Sequence, residues 1–410
     1  MRTPAVLALA VLLAFLAAAL PSCGASPEPQ PLPSLRAEQW AADVDFLLRE
    51  LPKRHANAFH HTPRPAFEAA GAQLRQRTAG ADADAMLVEL MQLLAGVGDG
   101  HTRLHLPAGV HRLPLALAPF GDDLRVTRAT EEARALIGGK LVRIDDVPAV
   151  EAVARARTVI AQAESDAYLR GSTPSMLAVA EVLHGLGIVT DPRRVRVTVA
   201  LDAGGERTLE LATVPAQPAP QWVAPAGELP LYRQRPDEPF FTTWLAEART
   251  VYVAFRGYDG LAASSRALWK LVDEQRPKKV VFDLRANGGG DYTKGRKYLV
   301  SELARRPWLR AYAIVGNRTF SAAMNNAVDL RNAGAVLVGE PIGERPNSYQ
   351  ENDELVLPHS RLVVSYSTRY YSFVPAEGPQ LVVPDHLVEP TWQEFAAGRD
   401  PALEWVLAQP

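Results

Sequence analysis

The strongest constraint on the fold is an alternation of apolar runs and helical patterns in the C-terminal part of the chain. Apolar runs occur at 250–255, 279–284, 311–315 and 335–338, with helical periodicity between them and a last helix over about 321–332. Short apolar runs that alternate with helices predict βαβ units and a mostly parallel sheet. We therefore expect an α/β core over residues 246–405.

The residues before this core divide into segments that differ in hydrophobic periodicity and in proline content. Residues 35–103 have helical periodicity and predict a module of three helices. Residues 104–214 contain short alternating runs, including a strand, a tight acidic turn and a second strand at 138–148. Residues 215–245 are rich in proline and predict a linker or an irregular flap. The pattern contains no internal repeat.

Composition excludes several classes of protein. Of the 410 residues 47% are hydrophobic, which excludes a disordered chain. The 44 Lys and Arg nearly balance the 46 Asp and Glu, so the chain lacks the basic excess typical of nucleic-acid binding. A single cysteine cannot form an internal disulfide or a thiolate metal site. Any catalysis must therefore use Ser, His and carboxylates, or a metal without thiolate ligands.

The N-terminal residues predict export. A short positive start precedes an apolar run at 5–20, which is too short for a stable span and is typical of a secretory signal over residues 1–22. The lone cysteine, Cys23, follows it at the position where bacterial lipoproteins are acylated. A proline-rich spacer at 23–34 comes next. We expect an exported protein of the bacterial cell envelope, tethered to the membrane only by a lipid on Cys23, with ordinary secretion or an uncleaved anchor as the alternatives.

Two loops combine glycine with reactive side chains. The segment 96–102 places His101 after glycines that keep the backbone open, although an ordinary turn with a surface histidine has the same pattern. At 283–290 a glycine-rich turn follows an apolar run and presents backbone N–H groups at the end of a strand. That turn lacks the spacing of a phosphate-binding loop, and its N–H groups could instead stabilise an oxyanion.

A third segment, 317–326, contains Ser321 between a strand-like run and a helix-like run. The N–H of Ala322 would then lie at the positive end of the helix. Two interpretations remain open from the residues alone, since Ser321 could be a nucleophile or a plain N-cap serine. The surrounding residues do not match the Gly-x-Ser-x-Gly elbow.

No metal or other cofactor is predicted. His101 and His105 lie four residues apart, but no Glu follows His101 as in zinc hydrolases, and the intervening alternation indicates a strand. His60 and His61 follow a loop-like segment and are interpreted as surface residues.

Four motifs together resemble the tail-specific, or C-terminal processing, and tricorn-like serine peptidases. They are Gly-Asp-Gly-His-Thr at 98–102, Asp-Leu-Arg-Ala-Asn-Gly-Gly-Gly at 283–290, Thr-Phe-Ser-Ala-Ala at 319–323 and Val-Gly-Glu-Pro at 338–341, with a similar closing segment at 382–389. The resemblance implies an α/β fold with an N-terminal helical module, a PDZ-like middle segment and a βαβ catalytic core of the crotonase-like or tail-specific peptidase type. It also implies Ser321 as the nucleophile.

The resemblance allows either a Ser–Lys dyad or a Ser–His–Glu arrangement. In the dyad the Lys lies some two dozen residues after the Ser, but the last lysine here is Lys297, and Arg345 cannot act as the base because it stays protonated. His101 is therefore the implied general base of the tricorn-like branch. Glu377, seven residues before Pro384, is the implied third member, with Glu351 and Asp353 as alternatives.

The same resemblance implies the remaining site residues and the activity. Two N–H groups would bind the oxyanion, one from Ala322 and one from Gly288 or Gly289, while Asp283 and Asn287 would hold the turn. The implied function is hydrolysis of peptides or protein tails in the cell envelope, with no nucleic-acid partner. A non-catalytic envelope lipoprotein that binds peptides with the same fold is the alternative.

Overall fold

The computed structural model describes residues 32–162, 164–225, 227–378 and 380–410. The signal predicted at 1–22, Cys23 and most of the spacer lie outside the described residues. Within the described part, no helix is long and apolar enough to cross a membrane.

Helices occur along the whole described chain. They are α1 (Ala37–Arg54), α2 (Arg64–Arg77), α3 (Ala83–Ala95), α4 (Ala149–Arg157), α5 (Asp166–Met176), α6 (Ala180–Gly185), α7 (Leu261–Gln275), α8 (Tyr292–Gly295), α9 (Ser301–Ala304), α10 (Ala322–Asn332), α11 (Trp392–Ala396) and α12 (Pro401–Ala408). A π-helical turn, Arg296–Val300, joins α8 to α9, and short 3₁₀ turns cover Glu131–Leu136 and Leu231–Arg233.

The strands form four separate sheets. They are β1 (Arg103–Leu104), β2 (His111–Arg112), β3 (Leu115–Phe120), β4 (Asp123–Ala129), β5 (Lys140–Ile144), β6 (Val147–Pro148), β7 (Arg194–Ala200), β8 (Glu206–Ala212), β9 (Val214–Pro215), β10 (Phe240–Leu245), β11 (Thr250–Phe255), β12 (Lys279–Asp283), β13 (Arg310–Val315), β14 (Val336–Gly339), β15 (Asn347–Val356), β16 (Val363–Ser372) and β17 (His386–Leu387).

The C-terminal core is a six-stranded sheet in the order β10-β11-β12-β13-β14-β17. Strand β10 is antiparallel to β11 and every other pair is parallel, which confirms the predicted α/β class. Alternate residues of β11 and β12 face opposite sides, because side chains of a strand alternate. One face packs on α7 and α10, and the other packs on α12. Strand β10 begins inside the segment that we predicted as a linker or flap.

The middle region contains a second sheet, in the order β3-β4-β5-β7-β8, with β6 paired to β5. Its pairs are all antiparallel. Strands β5 and β6 form the strand, turn and strand predicted at 138–148, with Asp145 at a φ of 47° in the turn. Residues from α4, α5 and α6 pack on the same hydrophobic core as this sheet.

A long hairpin of β15 and β16 connects the N-terminal helices to the core. Strand β16 pairs with β15 on one side and with β1 on the other. Leu355, Val364 and Tyr366 of the hairpin share a hydrophobic cluster with α1, α2 and α3. This packing brings the loop that ends α3, which contains His101, to the C-terminal core. The periodicity analysis did not predict this hairpin.

Candidate active site

Ser321 lies in a tight turn between the end of β13 and the start of α10. The hydroxyl of Thr319 donates to the carbonyl of Leu284 at 2.9 Å and accepts the N–H of Gly316 at 3.1 Å, which holds the turn. Ser321 has a φ of 54° and a ψ of −127°, a conformation that costs a non-glycine residue about 1–3 kcal/mol. Its side chain does not cap α10. This observation argues against the N-cap interpretation and leaves the hydroxyl free for another partner.

The glycine-rich turn after β12 packs directly against Ser321. Gly289 has a φ of 114°, and a Cβ placed there would lie 2.7 Å from the Cβ of Ser321, so the approach requires glycine. Asn287 holds this turn, because its Nδ2 donates to the carbonyl of Phe255 at 3.0 Å and its Oδ1 accepts the N–H of Gly289 at 3.0 Å. Its carbonyl also accepts the N–H of Phe320 at 3.1 Å.

The His101 imidazole meets Ser321 from the opposite side. Its Nε2 lies 3.0 Å from Oγ of Ser321. Ser365 on β16 donates its hydroxyl to the carbonyl of His101 at 2.8 Å, which fixes the loop to the hairpin. The imidazole also stacks on the ring of Phe320, with centroids 4.7 Å apart. The two side chains that the sequence analysis singled out therefore form a hydrogen-bonded pair, although 220 residues separate them.

The carboxylate beside His101 belongs to Glu344, and not to Glu377. Oε1 of Glu344 lies 3.5 Å from Nδ1 of His101, and Oε2 accepts a short hydrogen bond from the N–H of Ser321. Glu377 is exposed in the loop after β16, and the alternatives Glu351 and Asp353 are exposed on β15. Within the described residues none of the three contacts His101.

A signal for Glu344 was present in the sequence. Glu344 follows Ser321 by 23 residues, in the same interval where the dyad lysine of related peptidases is expected, and it immediately precedes Arg345. A carboxylate, and not a lysine, occupies that interval.

Burial controls the ionisation of the site. Loss of solvent lowers the pKa of His101 from 6.5 to about 4, an effect that the negative charge of Asp99 partly opposes. Burial raises the pKa of Glu344 well above its usual value, and the neighbouring carboxyl of Glu164 raises it further. The imidazole is therefore held in its neutral form, which is the form that can accept a proton.

Glu164 is a buried carboxyl that the sequence analysis missed, because it lies in a loop without a motif. Its Oε1 accepts the N–H of Gly100 at 3.0 Å, and its Oε2 accepts the N–H of Arg345 at 3.1 Å. These are the residues immediately before His101 and immediately after Glu344. Burial raises the pKa of Glu164 to about 7. The Glu164 carboxyl thus connects the loop that carries His101 to the loop that carries Glu344 by two hydrogen bonds.

Two backbone N–H groups next to Ser321 can serve as donors to an oxyanion. Among the described residues, neither the N–H of Ala322 nor that of Gly288 has a protein acceptor, and both residues line the cleft. The N–H of Gly289 donates to Asn287 and the N–H of Ser321 donates to Glu344. Of the two glycines considered in the sequence analysis, Gly288 is therefore the one with a free donor.

No protein-family model and no curated protein matches this chain in sequence. Among solved structures, mature CPAF superposes with a TM-score of 0.61 at 12% identity, covering 91% of this chain and 97% of CPAF. CPAF complexed with lactacystin gives the same TM-score and identity, covering 91% of this chain and 98% of that chain. The photosystem II D1 C-terminal processing protease gives a TM-score of 0.43 at 16% identity, covering 88% and 98%.

The chain has the same fold as CPAF. This confirms the resemblance that the motifs predicted, at the level of the fold.

The site opens into a cleft of about 1240 Å³. The helical module, α5, the core and the β15–β16 hairpin all contribute to its walls. Around Ser321 and His101 the lining includes apolar side chains such as Met91, Leu104 and Ile160, and polar side chains such as Asn325. The volume of the cleft is large enough to hold a peptide segment and not only a single small molecule.

Asp283 belongs to an ionic network behind the glycine-rich turn. It accepts the Tyr252 hydroxyl at 2.8 Å and pairs with Arg285 at 2.5 Å. Arg285 also pairs with Asp400 at 2.6 Å, at the start of α12. Arg285 therefore lies between two buried carboxylates, and Asp283 supports the turn without touching the cleft.

One group of side chains in the described part could hold a metal ion, namely His55, His60 and Asp99, whose ligand atoms lie within 4.8 Å of one another. The N–H of Asn57 donates to Nδ1 of His55 at 2.8 Å, so the ring proton sits on Nε2, which lies 3.0 Å from Oδ2 of Asp99. A hydrogen bond therefore occupies the atoms that would bind a metal. The sequence analysis interpreted His60 as a surface residue, and it is half-buried here.

Proposed function

We propose that this protein is a serine peptidase that hydrolyses peptide bonds in peptides or unfolded protein tails. The observation that carries the proposal is the 3.0 Å contact between Nε2 of His101 and Oγ of a serine whose φ is 54° and whose side chain does not cap its helix. The fold of the tail-specific peptidases supports the same function. A strained, uncapped serine paired with a neutral imidazole meets the requirements of nucleophilic catalysis.

The first step is acylation of Ser321. Its Oγ attacks the carbonyl carbon of the substrate while Nε2 of His101 takes the hydroxyl proton. The carbonyl oxygen becomes an oxyanion, to which the N–H groups of Ala322 and Gly288 donate. Loss of one such donor costs about 100- to 1000-fold in rate. Protonated His101 then gives its proton to the leaving amine as the C–N bond breaks.

Deacylation repeats this sequence with water. His101 takes a proton from the water, whose oxygen attacks the acyl carbon, and then returns that proton to Oγ of Ser321 as the ester bond breaks. The products are a free carboxylic acid and the regenerated enzyme. No cofactor takes part in either half of the proposed reaction.

Glu344 is the proposed orienting carboxylate, in place of Glu377. Acceptance of the Ser321 proton at Nε2 requires that the other ring proton sits on Nδ1, which faces Oε1 of Glu344. The same carboxyl accepts the N–H of Ser321, so it contacts both the nucleophile and the base. It thereby holds Ser321 in its unusual backbone conformation. Burial favours the neutral form of this carboxyl, and the positive charge of the imidazolium that forms during attack favours its ionised form, which stabilises the imidazolium.

The second candidate function is a peptide-binding scaffold without catalysis. The separation of 3.5 Å between His101 and Glu344 favours it, because this distance exceeds a normal hydrogen bond. Catalytic hydrogen bonds commonly tighten only when substrate is bound, so the separation is also compatible with the peptidase.

A fluorophosphonate probe separates the two candidates. We expect it to label the wild-type protein and to label neither Ser321→Ala nor His101→Ala, and we expect both variants to lose hydrolysis of a denatured, fluorescently labelled casein. Ser172→Ala is the matched control, because Ser172 lines the same cleft. Unchanged labelling in Ser321→Ala, or none in the folded wild-type protein, would contradict the peptidase.

We also propose that the protein is exported and tethered through Cys23, which the N-terminal residues predict. Metabolic labelling with radioactive palmitate should mark the wild-type protein in the membrane fraction, and Cys23→Ala should remove both the label and the membrane association. Unlabelled wild-type protein would contradict the anchor without bearing on the peptidase.

A further inference from the structure

Four arginines from different parts of the chain come together beside the cleft, and one of them, Arg318, lines it. Arg112 lies on β2, Arg128 on β4, Arg233 at the end of a 3₁₀ turn and Arg318 in the turn before Ser321. Partial burial lowers the pKa of Arg128, and the positive charges of Arg112, Arg318 and Arg233 lower it further. The geometry agrees: Arg128 pairs with Ala116 on β3, and the next residue, Leu117, lines a small cavity together with Arg318 and with Tyr232, the neighbour of Arg233.

Trp222 holds two of these arginines in place. The Cζ atoms of Arg112 and Arg128 lie 4.9 and 4.8 Å from the centroid of its ring, within the range of cation–π contacts. Such stacking uses the flat face of a guanidinium and leaves its N–H groups at the edge free to donate. Trp222 belongs to the proline-rich segment 215–245, so this segment has an organising role next to the cleft.

The four positive charges have no compensating carboxylate. Within the described part of the chain, none of the four arginines has a carboxylate within 4.0 Å, and none donates a side-chain hydrogen bond. Nε of Arg112 is buried without a partner. Arg285 provides the contrast, because its buried charge is paired with both Asp283 and Asp400. Arg128 and Arg318 are exposed, so their charges are solvated, and the unsatisfied donor of Arg112 is the part of the cluster whose cost an anion would recover.

The cluster adjoins the reactive serine. Arg318 precedes Ser321 by three residues and lines the cleft that contains Ser321 and His101. It also lines a second, smaller cavity of about 250 Å³, which shares Gly171, Ser175 and Asn317 with the cleft. A molecule that occupies the cleft can therefore reach the arginines through Arg318.

We propose that this arginine cluster, Arg112, Arg128, Arg233 and Arg318, binds a carboxylate group of the peptide substrate, supplied by an acidic side chain or by a free C-terminus. That the carrier is a peptide rests on the proposed function. Planar guanidinium groups match the two oxygens of a carboxylate. An extended polyanion is disfavoured, because the chain as a whole has a formal net charge of −2.

The test measures binding to the Ser321→Ala protein, so that turnover plays no part. The probes are fluorescent peptides of Ala, Leu and Gln in three forms: a neutral C-terminal amide, the same amide with two Gln replaced by Glu, and the neutral peptide with a free C-terminal carboxylate. Fluorescence anisotropy gives each Kd. We expect at least one acidic form to bind about tenfold or more tightly than the neutral amide, the factor that one charge-assisted hydrogen bond provides. The acidic peptide form that binds more tightly identifies the source of the carboxylate.

Substitutions then test whether the arginine cluster causes the tighter binding of the acidic peptides. In the Ser321→Ala background, Arg128→Gln and Arg318→Gln should each remove most of the difference between acidic and neutral peptides, and Arg128→Lys should keep part of it. Arg266→Gln, at an exposed position of α7, is the control and should change nothing. Because Arg128 and Arg318 lie on different elements, misfolding of one variant leaves the other as a test.

Three outcomes would overturn the proposal: equal affinity for all three peptides, an acidic preference that survives both substitutions, or no binding of any peptide. Fluorophosphonate labelling keeps this result separate from the proposed function. Carboxylate-dependent binding by a protein that never labels would contradict the peptidase and retain the anion site. Labelling without any carboxylate preference would do the reverse.

Discussion

Nδ1 of His101 and Oε1 of Glu344 face each other at 3.5 Å, and neither atom has a hydrogen-bond partner within the described residues. Both atoms are buried, so each bears the cost of an unsatisfied polar group. An approach of about 0.5 Å would give a normal hydrogen bond between them. The site therefore holds its base and its carboxylate close to a paired arrangement, which substrate binding or protonation of His101 would complete.

This arrangement predicts that Glu344→Gln lowers kcat by about 10²- to 10⁴-fold, because the amide cannot stabilise the imidazolium or fix its tautomer. The measurement is steady-state hydrolysis of a fluorescent peptide, with circular dichroism to verify folding. Glu377→Gln is the matched control at an exposed carboxyl and should retain wild-type kcat. The opposite pattern, in which only Glu377→Gln is inactive, would restore the expectation drawn from the sequence.

The contact between Gly289 and Ser321 predicts a second effect. Gly289→Ala places a Cβ 2.7 Å from the Cβ of Ser321 at a φ of 114°, so the turn or the nucleophile must move. We expect about 1–2 kcal/mol of destabilisation from the backbone conformation alone and a loss of kcat of about 100-fold, since a displacement of about 1 Å at a reacting group has that effect.

Gly204→Ala is the control for backbone strain in this experiment. Gly204 has a φ of 92° in the turn between β7 and β8, and no atom lies within 4 Å of the position of its Cβ. Urea unfolding should show a similar strain cost in both variants, whereas hydrolysis should fall only in Gly289→Ala. Equal activity of the two variants would show that the close contact with Ser321 has no catalytic consequence.

Much of the site could be predicted from the sequence, because several of its residues lie in single turns that have recognisable local patterns. The glycines around His101 and after β12, and the serine between a strand and a helix, are features of single turns. Glu164 could not be found in this way, and Glu344 was indicated only by its interval of 23 residues after Ser321. Their roles arise from the packing of loops onto one another, and Glu164 contacts Gly100 and Arg345 only through backbone N–H groups, which have no sequence signature.

The fold shows the same division between local and tertiary information. The parallel core was predictable from the alternation of apolar runs with helices. The β15–β16 hairpin was not, because β15 carries exposed polar residues along much of its length and only part of its periodicity faces a core. That hairpin is the element that joins the helical module to the core and positions His101, so its position depends on contacts that are distant in sequence.

Burial of the imidazole predicts the acid limb of the activity profile. The pKa of His101 is lowered to about 4, so the neutral base persists well below the usual value of 6.5. We expect kcat/KM to be maintained as the pH falls through 6.5 and to decline only as it approaches 4. Titration of the His101 ring by NMR in the Ser321→Ala protein gives an independent value. An acid limb at 6.5 or above would contradict this account of the site.

The buried carboxyl of Glu164 predicts a pH-dependent stability of the opposite sign to that of His101. Its pKa is raised from 4.5 to about 7, so the folded state holds a proton that the unfolded state has released. The stability it contributes is fully present below 4.5 and is lost as the pH rises toward 7. Glu164→Gln removes this titration, so we expect the variant to lose less unfolding free energy than the wild-type protein between about pH 5 and about pH 8. The measurement is urea unfolding at both pH values, with Glu247→Gln, at an exposed position after β10, as the control that should follow the wild type.

Because one of the two backbone N–H groups loses its acceptor in Glu164→Gln, kcat should also fall while KM changes little. A variant with wild-type pH dependence and wild-type kcat would show that Glu164 neither titrates in this range nor positions the two catalytic loops.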